Sequence, residues 1–151
     1  MGLFHGLNIS ASALTANRLR MDVVSSNIAN AQTTRAQLVN GQWQPYRRKL
    51  VELGSLAQGS FQRVFNRQLA SAKGATGGVA VTAIREDPTP FKLVYDPDHP
   101  DANQDGYVQL PNVDIVKEMV DLMTASRAYE ANVTTFNAAK QMYMKAMEIG
   151  K

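Results

Sequence analysis

NVDIVKEMVDLMTASRAYEANVTTFNAAKQMYMKAMEIGK, residues 112–151, contains no proline, and its apolar side chains recur in alternating steps of four and three. Positions 115, 119, 122, 126, 129, 133, 136, 140, 143 and 147 read Ile, Met, Leu, Ser, Tyr, Val, Phe, Lys, Tyr and Met. Eight of these ten are apolar, which predicts a helix with a heptad seam. Asn112 or Asp114 can cap its start and Gly150 its end. At about 1.5 Å per residue, such a helix is a rod of roughly 50 Å.

The other end of the chain has the same spacing. Positions 3, 7, 10, 14, 17, 21, 24 and 28 read Leu, Leu, Ser, Leu, Asn, Met, Val and Ile, and predict a helix from about Leu3 to about Asn30. All six prolines lie between Pro45 and Pro111, so the outer segments can run as long helices while the middle reads as strands and turns. Residues 43–53 read as a strand after the turn at Asn40-Gly41. Further strands follow at Val79–Ile84, Phe91–Tyr95 and Tyr107–Leu110. Between them, residues 54–78 are rich in Gly, Ser, Gln and Ala. They read as a flexible stretch with a short amphipathic piece at Phe61, Val64, Phe65 and Leu69. The expected fold is α+β and mainly α, with long N- and C-terminal helices paired as a coiled coil and a small β-rich unit between them. The expected segments are 1–34, 35–111 and 112–151.

Composition narrows the function. The 151 residues suffice for one ordinary domain, and 44% are apolar. No cysteine is present, which excludes disulfides, zinc-thiolate sites and thiol nucleophiles. Two histidines, His5 and His99, are too few for a multi-histidine metal site. No apolar run has the length of a transmembrane helix, and the N-terminus lacks the pattern of a secretory signal. The net charge of +3 divides unevenly: residues 1–76 hold nine Lys/Arg and two acids, residues 77–151 seven and eleven. A basic first half suits nucleic acid, and opposite-signed halves suit head-to-tail contact between copies. The one basic cluster, Arg47-Arg48-Lys49, lies near Trp43 and Tyr46 and has the same two readings. One is a nucleic-acid contact by charge and stacking; the plainer one is an outer subunit contact through Tyr46, Arg47, Arg48 and Lys49. A stand-alone basic nucleic-acid-binding protein is therefore the alternative function.

Catalytic and metal motifs are weak. Asp101-x-Asn103-x-Asp105-Gly106 matches the first half of a calcium loop, but the twelfth position is Asn112 rather than a bidentate Glu. A polar turn explains it as well. Gly74–Gly78 lacks the Lys-Ser/Thr of a phosphate loop, and neither G-x-S-x-G nor H-E-x-x-H occurs. No enzyme activity, metal, cofactor or small-molecule substrate is expected.

The helix faces point elsewhere. Residues 1–34 contain only three charged side chains, Arg18, Arg20 and Asp22. The C-terminal helix carries a second stripe, Val116, Val120, Met123, Ala131, Ala138, Met142, Ala146 and Ile149. Helices with one buried face normally carry charge on the other. Two such helices cannot satisfy both faces within one chain, so open, repeated association is expected.

The terminal motifs carry a resemblance. Ser12-Ala13-Leu14-Thr15-Ala16 and the run Met21 to Thr34 (MDVVSSNIANAQTT) resemble the N-terminal motif of bacterial flagellar rod and hook axial proteins. Asn112-Val113-Asp114, Glu118-Met119-Val120 and Arg127-Ala128-Tyr129-Glu130-Ala131-Asn132 resemble that family's C-terminal motif. Gln44 to Lys49 (QPYRRK), Tyr95 to Pro100 (YDPDHP) and Gly106-Tyr107-Val108 are similar to its proximal rod branch. Arg35-Ala36 after Thr33-Thr34, where the wider family often has Gly and an aromatic residue, favours the same branch.

The resemblance implies a non-enzymatic structural subunit of the flagellar basal body, whose terminal helices form the inner layer of a torque-transmitting helical tube. It implies copies of the chain, other rod proteins and the base of the rod at the membrane ring as partners. Export by the flagellar type III apparatus, to the periplasmic side without a cleaved signal peptide, follows too. Nucleic acid is not an expected partner. Seam and assembly contacts are expected at Leu7, Leu14, Met21, Val24 and Ile28 in the first helix. In the second they are expected at Met119, Leu122, Tyr129, Val133, Phe136, Tyr143 and Met147. The family motifs add Asn27, Asn30, Glu130 and Asn132, and Arg127 and Glu130 are spaced to pair. An isolated helix pair of this kind is marginal, so the termini are expected to be partly disordered in the monomer and to fold on assembly.

Overall fold

The computed structural model describes residues 5–39, 41–56 and 77–149. Its elements in chain order are α1 (His5–Ala29), β1 (Gln37–Val39), β2 (Gln42–Gln44), β3 (Lys49–Leu56), β4 (Gly77–Glu86), β5 (Lys92–Tyr95), β6 (Tyr107–Leu110) and α2 (Ile115–Ile149). The helices have 25 and 35 residues, and the strands form three two-stranded sheets, β1–β2, β3–β4 and β5–β6. The architecture is thus α+β, with a helix at each end and small strand pairs between. Leu3, Gly150 and the amphipathic piece Phe61, Val64, Phe65 and Leu69 lie outside the described residues, as does most of the 54–78 stretch. The ends of that stretch are strand: Gly54 belongs to β3, Gly77 and Gly78 to β4.

The strand expected over 43–53 is divided. Pro45 lacks the N–H that a ladder needs, so Gln42–Gln44 turns back on Gln37–Val39 and a fresh strand starts at Lys49. In the antiparallel β1–β2 pair Leu38 faces Trp43, and Gly41 takes φ 81° at the turn. In β5–β6, also antiparallel, Val94 faces Val108 and Tyr95 faces Tyr107.

Two compact units emerge. One comprises Arg20–Val51 and Ile84–Thr124. Val23, Val24, Tyr46, Val108 and Val113 are buried in it. The other comprises Met1–Leu19, Glu52–Ala83 and Ala125–Lys151. Its buried side chains among the described residues are Ser10, Ala16 and Ala125. In this unit Ser12 joins helix to strand: its Oγ donates to Ile9 O (2.7 Å) and accepts from the Val79 amide (3.0 Å). Gly78, at φ 53°, lies so close to the Ser12 side chain that a Cβ there would collide with it.

Asp114, not Asn112, caps α2. Its Oδ1 accepts from the Val116 and Lys117 amides at 3.0 and 3.4 Å. Along α2 the covered positions include two columns with a seven-residue repeat, beside Asp121, Ser126, Ala128 and Val133. One is Leu122, Tyr129, Phe136 and Tyr143; the other is Glu118, Ala125, Asn132 and Ala139. In the single chain Met119 and Met147, expected as seam and assembly contacts, are 52% and 68% exposed, and Glu118 rather than Met119 is buried at the start of α2. Val133 flanks the second column and is half-buried. In α1, Val24 is buried and Leu7, Leu14, Met21 and Ile28 are half-buried.

Candidate functional site

The most elaborate side-chain structure in the Arg20–Val51 and Ile84–Thr124 unit is a buried polar clasp. Three segments meet there: the last turns of α1, the strand entry Tyr46–Lys49 and the first turn of α2. Asn27 is 1% exposed and uses its full hydrogen-bonding capacity. Its Nδ2 donates to Lys49 O and to Glu118 Oε2, both at 2.9 Å. Its Oδ1 accepts from the Tyr46 hydroxyl and the Lys49 amide, both at 3.0 Å. Two donors and two acceptors are all that an amide side chain offers.

Glu118, also 1% exposed, is the buried charge of the clasp. Its Oε1 accepts from Arg48 Nε at 2.7 Å and pairs with Nη2 at 2.6 Å. The rest of the guanidinium reaches Asp87 Oδ2 at 3.3 Å and Asp121 Oδ2 at 3.6 Å. Arg20 also pairs with Asp121, at 3.3 Å. Asn112 braces the outer side: its Oδ1 accepts from the Arg48 amide at 2.8 Å, and its Nδ2 donates to the Asp87 and Thr89 carbonyls at 3.3 and 3.0 Å. Buried polar groups demand such saturation, because each one left unpaired costs about 1–3 kcal/mol.

The electrostatics follow from the contacts. Burial alone would lower the Arg48 pKa, but hydrogen bonds and charge from Glu118 and then Asp87 leave it raised. The Thr89 hydroxyl and amide, and then Arg48, hold the Asp87 carboxyl below its ordinary value. Nothing here resembles a catalytic constellation. Every polar group of the clasp is already bonded to another protein group, so the arrangement can hold segments together and cannot receive a substrate.

The basic cluster is therefore not a cationic strip open to solvent. Tyr46 and Arg48, expected as outer contacts, lie inside the clasp, and this is a correction: Tyr46 is buried against Asn27 and the Arg48 side chain is 12% exposed. Arg47 sits over the Phe91 ring at 4.5 Å and donates to Asp87 O. Lys49 is exposed, with its ammonium 5.8 Å from the Tyr46 ring.

The calcium-like loop is likewise committed to other partners. Asp101 accepts from Arg35 Nε at 2.6 Å and from the Thr34 hydroxyl at 2.8 Å, and these two hold its carboxyl below the ordinary range. Asn103 Oδ1 accepts from the Asp105 and Tyr107 amides, closing a turn at Gly106, where φ is 77°. Among the described residues no group of three His, Asp or Glu side chains is placed to hold a metal.

The remaining sequence-predicted residues are spread along the helices. Asn30 Nδ2 donates to Ser26 O, and its Oδ1 accepts from the Thr33 hydroxyl, at the end of α1. Asn132 donates to Ala128 O within α2. Glu130 is exposed and pairs with Arg127 at 3.2 Å. Leu122, Tyr129, Val133, Phe136 and Tyr143 are half-buried. The second apolar stripe of α2, from Val116 to Ile149, is exposed at all eight positions. Sequence reasoning missed Glu118, Asp87 and Asn112 as partners of Asn27 and Arg48. Asn112 and Glu118 stood in the C-terminal motif and Arg48 in the QPYRRK run, but nothing local says that they meet.

Two family descriptions match the chain: "Flagella basal body rod protein" over residues 7–37 and "Flagellar basal body rod FlgEFG protein C-terminal" over residues 104–149. Among curated proteins, the flagellar basal-body rod protein FlgC of Bacillus subtilis (strain 168) is 61% identical, over the whole of both chains. The proteins of the same name from Escherichia coli O6:H1 and Borreliella burgdorferi are 43% and 42% identical. The first match covers the whole of both chains, the second 99% of this chain and 98% of the relative.

Proposed function

Because the chain belongs to the FlgC family of flagellar basal-body rod proteins, we propose that it builds the proximal rod by pairing its terminal helices into the inner layer of a helical, torque-transmitting tube. It is a structural protein of the basal-body rod, not an enzyme, and its partners are other rod components. In this reading residues 1–34 and 112–151 form the inner coiled-coil layer and residues 35–111 pack outside it. The seam runs through Leu14, Met21, Val24, Leu122, Tyr129, Phe136 and Tyr143. The subunit passes through the flagellar export apparatus to the periplasmic side and meets the base of the rod at the membrane ring.

One observation supports the assembly reading most. The stripe Val116, Val120, Met123, Ala131, Ala138, Met142, Ala146 and Ile149 is open to solvent along its whole length in the single chain. An apolar surface so arranged marks a protein contact. The test is complementation: the chain is expressed in a Bacillus subtilis strain that lacks its own FlgC. Restored swimming and complete rods are the expected outcome, and basal bodies that stop short of the rod would overturn the reading.

A further inference from the structure

Each helix leaves a heptad-spaced line of residues open. On α1 the exposed line includes Ala11, Thr15, Arg18, Asp22, Ser25 and Ala29. On α2 it includes Val120, Met123, Arg127, Glu130, Thr134 and Asn137. At about 100° per residue, each line lies on the far side of its helix from the clasp contacts Arg20–Asp121 and Asn27–Glu118. Both lines are therefore free when the clasp is closed.

The charges on the two lines fix how they can meet. Each helix, read from its N-terminus, presents a positive and then a negative residue: Arg18 then Asp22, and Arg127 then Glu130. Parallel packing would set like charges opposite one another. Antiparallel packing sets Arg18 against Glu130 and Asp22 against Arg127. In that one register the other positions also match. Val120 and Met123, 52% and 59% exposed, fall opposite the small Ala29 and Ser25. Thr134 falls opposite Thr15, and Asn137 opposite Ala11. Each step of four on one helix faces a step of three on the other, so the paired positions stay within one residue of each other and the seven-residue repeats of the two lines match in length.

We propose that the open line of α2 on one subunit docks antiparallel onto the open line of α1 on a second copy of this chain, in the register Asp22–Arg127 and Arg18–Glu130. The contact deepens the rod reading and rests on it. Because it joins two different surfaces, it is heterologous and leaves one line of each kind free at the ends of any chain of subunits. Large apolar side chains meet small ones at one end of the contact, and at the other Thr134 meets Thr15 and Asn137 meets the small Ala11. The charges between them select direction more than they add affinity.

The absence of native cysteine makes a clean test possible. Two single variants, Ser25→Cys and Met123→Cys, are co-expressed in the Bacillus subtilis strain lacking its own FlgC, and the cells are treated with a mild thiol oxidant. The mixed dimer is expected in severalfold excess over either homodimer. Ala29→Cys with Val120→Cys is an independent pair with the same expectation, and Ser25→Cys with Thr134→Cys is out of register and should show no excess. Arg18→Glu alone should lower mixed cross-linking, and Glu130→Arg added to it should restore it. Mixed dimers no more abundant than homodimers for both matched pairs, or no rescue by the charge swap, would overturn the pairing. If the unaltered chain still restores swimming in that case, the rod reading stands without it. If the unaltered chain does not restore swimming, both fall.

Discussion

Asn27→Ala is the most direct test of the clasp. The substitution removes four hydrogen bonds at one buried point and strands the Lys49 amide and the Lys49 carbonyl, while the Tyr46 hydroxyl keeps only Ser26 Oγ at 3.4 Å. Glu118 keeps Arg48 and is only partly deprived. Two stranded neutral groups at the low end of the usual penalty give about 2 kcal/mol. A domain of this size is stable by about 5–15 kcal/mol, so that is a large share. Urea unfolding of the purified chain measures the loss, and hydrogen exchange in peptides covering Tyr46–Val51 locates it. Asn27→Asp sharpens the test. It keeps the acceptor for Tyr46 and Lys49 but puts a carboxylate oxygen where Nδ2 now lies 2.9 Å from Glu118 Oε2. At neutral pH it should therefore be at least as damaging as alanine. A loss below about 1 kcal/mol for Asn27→Ala, or wild-type stability for Asn27→Asp, would refute the assignment of Asn27 as the centre of the clasp.

Other outcomes follow from the same geometry. Arg48→Lys replaces a fork by a point charge that cannot serve Glu118 and Asp87 together, and should cost roughly 1–3 kcal/mol in the same unfolding assay. Asp87 is held below its ordinary value in the folded chain, so its contribution is present above the unfolded carboxylate range and disappears as pH falls through the folded value, below about pH 4. Thr89→Val removes the largest cause and should flatten that acid limb when melting temperature is followed from neutral to acid; an unchanged limb would exclude Thr89 as the cause. Gly106→Ala forces a side chain onto φ 77° with its Cβ 2.9 Å from Tyr95 Cε2, and should cost about 1–2 kcal/mol by thermal unfolding. Val133→Asp should abolish incorporation into rods while exchange protection of residues 20–51 and 84–124 is unchanged; normal rods from this variant would exclude the seam.

The two helices, the end of α1 and the start of α2 were legible in the sequence because their signals are local. Proline is confined to the middle, the apolar steps alternate, and Asp114 stands just before the first turn of α2. The covered column Leu122, Tyr129, Phe136 and Tyr143 was visible because large apolar residues repeat every seven positions. The second column was not. Its residues are Glu118, Ala125, Asn132 and Ala139, and hydrophobicity favours the neighbouring Met119 and Val133 instead. A buried glutamate reads as a surface residue unless its partner is known, and Arg48 is distant in sequence. The strand break at Pro45 has a local signal too, the missing N–H, but the apolar and aromatic run on either side of it reads as one strand.

The polar column has a consequence for assembly. An apolar seam with a seven-residue repeat tolerates a slip of one heptad with little loss, since each aromatic residue then meets another such site. The clasp does not tolerate it. A slip would leave Glu118 buried without Arg48, and breaking a buried pair in that way costs about 3–5 kcal/mol. Asn27 would also lose both Lys49 backbone groups at once. One polar node therefore fixes the register of the α1 end and the α2 start where an apolar seam alone would not. In the proposed contact a second copy reads the charge order along each helix, and this node bears on the register at which it does so. A clasp variant that retains its helices should thus lose the selectivity of the Ser25–Met123 cross-link before it loses self-association. That outcome would separate the two roles in the proposed assembly, attraction from the apolar faces and register from the buried Glu118–Arg48–Asn27 node.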